Sequence, residues 1–419
     1  MKTLLVLASF LLLAAALPTP KSFLHGAQVF RVVPKTEGQI HYLSGLIKSD
    51  HYDFWTEPRA IGKPVDIMAK AFHIPQLKST LLKLGLKYEI LVSNVAQQVE
   101  ALHMANEKAR AKGTKAMDWT SYHTYDEITE WLDSLATDYP SLCTVEDVGT
   151  SYEGRTMKLL KLGTGPATNP GIFIDGGIHA REWISPATVT YIINEFVQNS
   201  DTYADILAGV NFYIMPSINP DGYAYTWSND RLWRKTRSET GTPGCRGADP
   251  NRNWGFHWME AGASSNPCSD IFAGSVEFSE VEMQNVRDQI LKYQDTLVAY
   301  LTFHSYSQLW MYPWGYTTDL PSDWQELDSL AQDAVSALTG VHGTSYDIGS
   351  STNILYAAAG GSDDWAKGVG NVKYSYTIEL RDTGFWGFQL PPEQIIPTGE
   401  ETFEALKVVA NFFLTPRKE

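Results

Sequence analysis

The chain has 419 residues, 43% of them hydrophobic and 19% charged, with a formal net charge of −15. It is too long for one ordinary domain, too apolar for a disordered chain, and too acidic to be a partner of nucleic acid or an anionic membrane surface. Lys2, the apolar run 4–13 and Ala14-Ala15-Ala16 have the layout of a secretory signal over 1–16. That run is too short to span a bilayer and no later stretch is long enough, so a soluble, secreted protein is expected, with a monomer as the default state.

Residues 17–110 read as a separate small unit. Strands are expected over 28–33, 52–55, 64–69 and 87–92, and helices over 38–48 and 74–84. The order β-α-β-β-α-β is that of the split β-α-β sandwich. A polar helix over 95–115 follows, rich in Ala, Gln, Glu and Lys, and reads as a solvated connection. Its Arg110, Lys112 and Lys115 offer a cutting site to a trypsin-like protease.

From about Trp119 the pattern changes. Strands are expected over 143–148, 157–162, 172–175, 210–215, 297–304 and 374–380. Helices are expected over 126–135, 185–199, 279–293, 324–338 and 398–414. Capping boxes are read at Ser279/Glu282 and Thr398/Glu401. Strands alternating with helices predict an α/β domain over 111–419, with a mixed, mostly parallel sheet and helices on both faces. Active sites of such sheets lie at strand ends. The three cysteines allow three pairings. The loop-rich surroundings favour Cys245 with Cys268, which leaves Cys143 as a buried thiol.

The stretch 171–183 carries the first chemical signal. An apolar strand ends in Gly176-Gly177, and His179 then stands three residues before Glu182, on a turn and the first helical residues. The pair can share one metal ion, and a catalytic zinc takes three protein ligands with a position left open. His304, at the end of the run 297–303, is the third candidate. Glu379 sits on the face of its strand opposite Tyr376 and Ile378. It is either ion-paired with Arg381, which shares its face, or poised as a base.

The chain also carries His179-Ala180-Arg181-Glu182-Trp183, Arg231-Leu232-Trp233-Arg234-Lys235-Thr236-Arg237, Asn251-Arg252-Asn253-Trp254, His304-Ser305-Tyr306-Ser307-Gln308, Gly360-Gly361-Ser362-Asp363-Asp364-Trp365 and Glu379-Leu380-Arg381-Asp382-Thr383-Gly384. In this order the motifs resemble the zinc carboxypeptidases of the pancreatic A/B type over nearly the whole chain, including signal and activation domain. The resemblance implies one zinc on His179, Glu182 and His304, with Glu379 as the base that later returns its proton to the departing amine. It implies Arg237 as the cation that stabilises the oxyanion. Arg252, with Asn251 and Tyr356, would bind a peptide's C-terminal carboxylate, with Arg181 lining the path nearby and Tyr306 a further substrate-binding residue. It further implies a zymogen opened by a trypsin-like cut near Arg110–Ala111.

Within the family resembled, the residue at the base of the pocket sets preference, and the matching position is Asp363. A buried carboxylate calls for a cationic partner, so C-terminal Lys or Arg is expected, with Ser351 leaving room for a long side chain. Asp363 and Asp364 could instead both cap the helix before Trp365. Gly315 stands where the B-type pattern has Ser, which leaves an A-type preference for aromatic and aliphatic ends open. An inactive binding relative would have lost a ligand or the base, and none is missing here. An amidase or deacetylase would not need the carboxylate clamp. No Gly-x-Ser-x-Gly elbow and no His-Glu-x-x-His helix occurs.

Overall fold

The computed structural model describes residues 24–414, apart from 48, 50 and 113–116. The expected signal and Lys115 lie outside the described residues. In the small unit, β1 (Gln28–Val32), β2 (Tyr52–Thr56), β3 (Val65–Ala69) and β4 (Tyr88–Val92) form an antiparallel sheet in the order β2-β3-β1-β4. Helices Glu37–Leu46 and Ile74–Lys83 cover one face, where Leu43, Leu77 and Leu81 pack with Phe30, Val32 and Ile67. Alternation turns Val29 and Met68 to the other face. There, with Trp55, they pack against Leu232, Tyr306 and Phe388 of the large unit. The small domain is thus docked by its sheet.

The connecting helix Val95–Arg110 corrects the expectation of a solvated spacer. Its buried positions Val95, Val99, Leu102 and Asn106 recur at helical spacing and form one stripe. Leu102 joins the main core of the large unit. The Asn106 side chain accepts from Tyr122 N at 2.6 Å and donates to Tyr122 O at 3.3 Å. Arg110 donates to Glu127 at 3.0 Å and to Tyr122 O at 3.1 Å. The helix is a strap, and its polar composition hid the apolar stripe.

In the large unit, β5 (Cys143–Thr150), β6 (Thr156–Leu162), β7 (Gly171–Gly176), β8 (Asn211–Met215), β9 (Leu297–Ser305), β10 (Leu309–Tyr312), β11 (Asp347–Ser350) and β12 (Tyr374–Leu380) form one sheet. Its order is β11-β10-β12-β9-β7-β8-β6-β5. The centre, β12-β9-β7-β8, is parallel throughout, and antiparallel pairs occur at β10-β12, β8-β6 and β6-β5. Helices Ile184–Gln198, Trp324–His342 and Ile395–Leu414 pack on one face with Ile172, Ile174, Leu301 and Phe303. Helix Val281–Tyr293 packs on the other with Phe173 and Tyr300. Both faces of the central strands are therefore covered, which is why their sequences read as apolar runs.

Several short elements carried too little pattern to be read from the chain: β10, β11, and helices Ala204–Gly209, Pro220–Ser228, Ser351–Ile354 and Ser362–Gly368. Neither capping box forms. The first helix starts at Val281 after Glu280, and Glu282 instead accepts from Tyr152 N. The second starts at Ile395, so Thr398 is already inside it and bonds back to Gln394 O, while Glu401 pairs with Arg381. Both side chains had stronger tertiary partners. Cys245 and Cys268 form a disulfide, and Cys143 is buried and free.

Candidate active site

The site is built at the C-terminal edge of the parallel centre. After β7 the chain turns at Gly177, with φ +66° and an added Cβ only 3.0 Å from Pro186 Cγ and Ser217 Oγ. Glycine is required there on both counts. The turn presents His179 and Glu182 before the helix opens at Ile184, so Glu182 belongs to the turn and not, as expected, to the helix. His304 lies at the end of β9, and Glu379 is its direct neighbour across the β9–β12 pairing.

His179, Glu182 and His304 converge, with donor atoms all within 4.8 Å of one another and all three residues buried. His179 Nδ1 stands 3.2 Å from His304 Nδ1 and 2.8 Å from Glu182 Oε1. Two imidazole nitrogens facing each other beside a carboxylate fit a shared cation. Burial and the nearby Arg234 hold the His179 pKa below its usual value, which keeps the ring neutral as a ligand must be. Burial alone would raise the Glu182 carboxyl, but the two imidazoles hold it well below the usual range. Behind His179, Asp249 Oδ1 lies 3.2 Å from Nε2. Arg234 in turn donates to Asp249 Oδ2 at 2.9 Å.

The Glu379 carboxylate faces this group. Burial raises its pKa, with the Glu182 charge adding to the effect and His304 opposing it. Its Oε2 is enclosed without a hydrogen-bond partner among the described residues. Arg381 does not pair with it and instead binds Glu401, Gln394 and Thr344, so the structural ion-pair alternative for Glu379 falls away.

Arg237 is a correction. Its guanidinium stacks 3.6 Å from the Tyr225 ring and 4.4 Å from that of Trp233, beside Glu153, and takes no part in this group. Arg234, three residues earlier, is a cation whose charge is felt by Glu182, Glu379 and Tyr356, alongside Arg59 at Glu379 and Arg252 at Tyr356. Both arginines stand in one motif, and spacing alone cannot choose between them. Asp249 was also missed, although an acid two residues before Asn251-Arg252 is a visible signal.

Arg252 is buried under Tyr356, with its guanidinium 5.8 Å from the ring centroid. Asn251 Oδ1 accepts from Ser362 N at 3.0 Å. Asp363 is buried, and its Oδ2 accepts from Ser351 Oγ at 3.3 Å. Asp364 accepts from Gly315 N and Tyr316 N, and Gly361 is the residue that precedes the helix. The two acids therefore have separate partners, and neither is the helix cap.

The small domain reaches into the same place. Asp53 accepts from Arg181 at 2.8 and 3.0 Å, Glu57 lies 3.9 Å from Arg252, and Asp66 accepts from the Tyr306 hydroxyl at 3.0 Å. Between the units a 500 Å³ cavity is lined by Asp53, Trp55, Glu57, Arg181, Arg234 and Tyr356.

Residues 128–405 match the zinc carboxypeptidase family, and residues 30–101 match the carboxypeptidase activation peptide. The chain belongs to the zinc carboxypeptidase family. It is a procarboxypeptidase, and its cofactor is one zinc. It is 77% identical over 297 residues to the carboxypeptidase B of Astacus astacus, an alignment covering 71% of this chain and 98% of that protein. It is 40% identical over 416 residues to mouse (Mus musculus) carboxypeptidase A1, covering 98% of each. The crystal structure of carboxypeptidase A from Helicoverpa armigera superposes with a TM-score of 0.89 at 30% identity, covering 94% of this chain and 99% of that one. The donor set fits the cofactor, since two buried imidazoles and a carboxylate are the protein ligands that a catalytic zinc takes.

The roles of Arg381 and Glu379 in this procarboxypeptidase separate by substitution. Arg381→Met leaves the fully buried Glu401 without its cation. Chemical denaturation should show a loss of about 3–5 kcal/mol, while turnover per folded molecule changes little.

Proposed function

We propose that this procarboxypeptidase is a secreted zymogen, spanning a signal over 1–16, an activation domain over 17–110 and a catalytic domain over 111–419. Once cut, it removes C-terminal Lys and Arg from peptides and proteins. His179, Glu182 and His304 hold the zinc. A zinc ion there supplies Lewis-acid polarisation of the scissile carbonyl and of the attacking water. Glu379, its Oε2 unclaimed by any donor among the described residues, takes the proton from that water and returns it to the departing amine nitrogen. Arg234, anchored on Asp249, stabilises the oxyanion in the place expected of Arg237. Losing such a donor costs on the order of 10²–10³ in rate. Arg252, Asn251 and Tyr356 hold the substrate's terminal carboxylate, and Arg181 and Tyr306 line its path.

The observation that carries the preference is Asp363, which is 5% exposed and has no cationic partner among the described residues. A Lys or Arg side chain would supply that partner, whereas an aromatic one would leave the charge stranded. The 77% identity to a carboxypeptidase B supports the same reading.

The contacts of the activation domain support latency. Asp53 and Glu57 occupy with their own carboxylates two cations assigned here to the substrate's path, Arg181 and Arg252. The activating cut falls in the stretch 110–112, by a trypsin-like protease. Arg110 is engaged by Glu127 and Tyr122, whereas Lys112 is exposed.

Matched peptides ending in Arg and in Phe test the preference on the trypsin-treated enzyme. Release of Arg should far exceed release of Phe and should stop with a zinc chelator. Asp363→Ala should lose Arg release while Phe release persists. Phe release exceeding Arg in the unmodified enzyme would instead establish the A-type preference. Glu379→Gln should retain one zinc per chain by metal analysis yet lose at least about 10²-fold in turnover; a variant that kept its rate would remove the base assignment. N-terminal sequencing after brief trypsin treatment should find the cut after Lys112 ahead of Arg110, and Glu127→Gln should bring the Arg110 cut forward.

A further inference from the structure

The two histidines of the metal group are held from behind by different devices. His179 Nε2 has a carboxylate directly behind it, Asp249 Oδ1 at 3.2 Å. His304 has a hydroxyl, with its Nε2 3.3 Å from Thr302 Oγ1. That hydroxyl is not independent, because it donates to Asp175 Oδ1 at 2.7 Å. The other oxygen of the same carboxylate, Oδ2, accepts from the Tyr300 hydroxyl at 2.6 Å. Asp175, Thr302 and Tyr300 are all fully buried. The arrangement is set by strand register, since Asp175 on β7 is paired directly with Thr302 on β9.

A buried carboxylate in the middle of a parallel sheet is costly and needs a reason. Two hydroxyl donors satisfy its hydrogen bonding, but only one of them continues to a metal ligand. If His304 offers Nδ1 to the metal, its proton sits on Nε2 and needs an acceptor. Thr302 Oγ1 can accept that proton only when its own hydrogen points elsewhere, and Asp175 takes that hydrogen. The carboxylate thereby fixes the threonine's orientation, and the threonine fixes the tautomer and the plane of the imidazole.

We propose that Asp175 and Thr302 are positioning residues for the zinc, a carboxylate–hydroxyl–imidazole relay that sets His304 as Asp249 sets His179. This rests on the assignment of His179, Glu182 and His304 as the zinc ligands.

Tyr300 separates the relay from mere burial of polar groups. Thr302→Val and Tyr300→Phe each remove one hydroxyl from Asp175, yet only the first touches His304. Zinc dissociation constants of the full chain, measured by competition with a chromophoric chelator, should rise about 10- to 100-fold for Thr302→Val. They should stay near the unmodified value for Thr302→Ser and Tyr300→Phe. Thermal unfolding of the metal-free forms should show Thr302→Val and Tyr300→Phe losing comparable stability, so that the affinity difference is not a folding effect. Thr302→Ala provides the same reading should Val not fold. Unchanged affinity in the variants lacking the hydroxyl, or equal weakening in Tyr300→Phe, would overturn the proposal. Failure of the unmodified chain to bind zinc, or of His304→Ala to weaken it, would remove the ligand assignment itself and the relay with it.

Discussion

Two imidazole nitrogens 3.2 Å apart with a carboxylate beside them are an arrangement that a protein interior does not hold for its own sake. Each ring must be neutral, each must be fixed in one tautomer, and each must lie at the end of a strand that cannot drift. The parallel pairing of β7, β9 and β12 supplies the last condition, because a slip of one residue would turn His304 and Glu379 to the opposite face of the sheet. Two covering helical layers and their cores keep that register. The polar shell behind the rings is equally dependent on it, since Asp249, Arg234 and Asn251 form one bonded group around His179.

The activation domain exploits the same charges. Arg181 and Arg252 are both buried, and a buried cation calls for a carboxylate partner. Asp53 and Glu57 complete them from the edge of a separate sheet. The acids stand on or beside β2, while Val29, Trp55 and Met68 provide the apolar contact that keeps that strand in place. Docking and masking are thus divided between two kinds of residue on one face.

What could be read in the chain follows from the physics of each element. Long apolar strands and amphipathic helices announce themselves by period, so the small sandwich and most of the large sheet were legible, as were His179, Glu182, His304 and Glu379. The four-residue strands β10 and β11 have too few residues for any period to emerge. The helix Val95–Arg110 looked solvated because only one stripe is buried and one of its members is the polar Asn106. That Arg234 and not Arg237 stands beside the metal group required three dimensions to see, since Arg234 is held there by a partner, Asp249, fifteen residues further on. Local capping rules failed at Glu282 and Glu401 for a related reason: distant partners outcompeted the nearby backbone.

Cys143 opens β5 within the main core, and burial pushes its thiol up to about 12. Disulfide exchange requires a thiolate, and at neutral pH this side chain supplies almost none. An odd cysteine in a protein that holds a disulfide is ordinarily a hazard, open to dimer formation or to reshuffling of the existing bridge. Here the folded state itself keeps the spare sulfur chemically silent, so the Cys245–Cys268 link is insulated from it for as long as the core holds together.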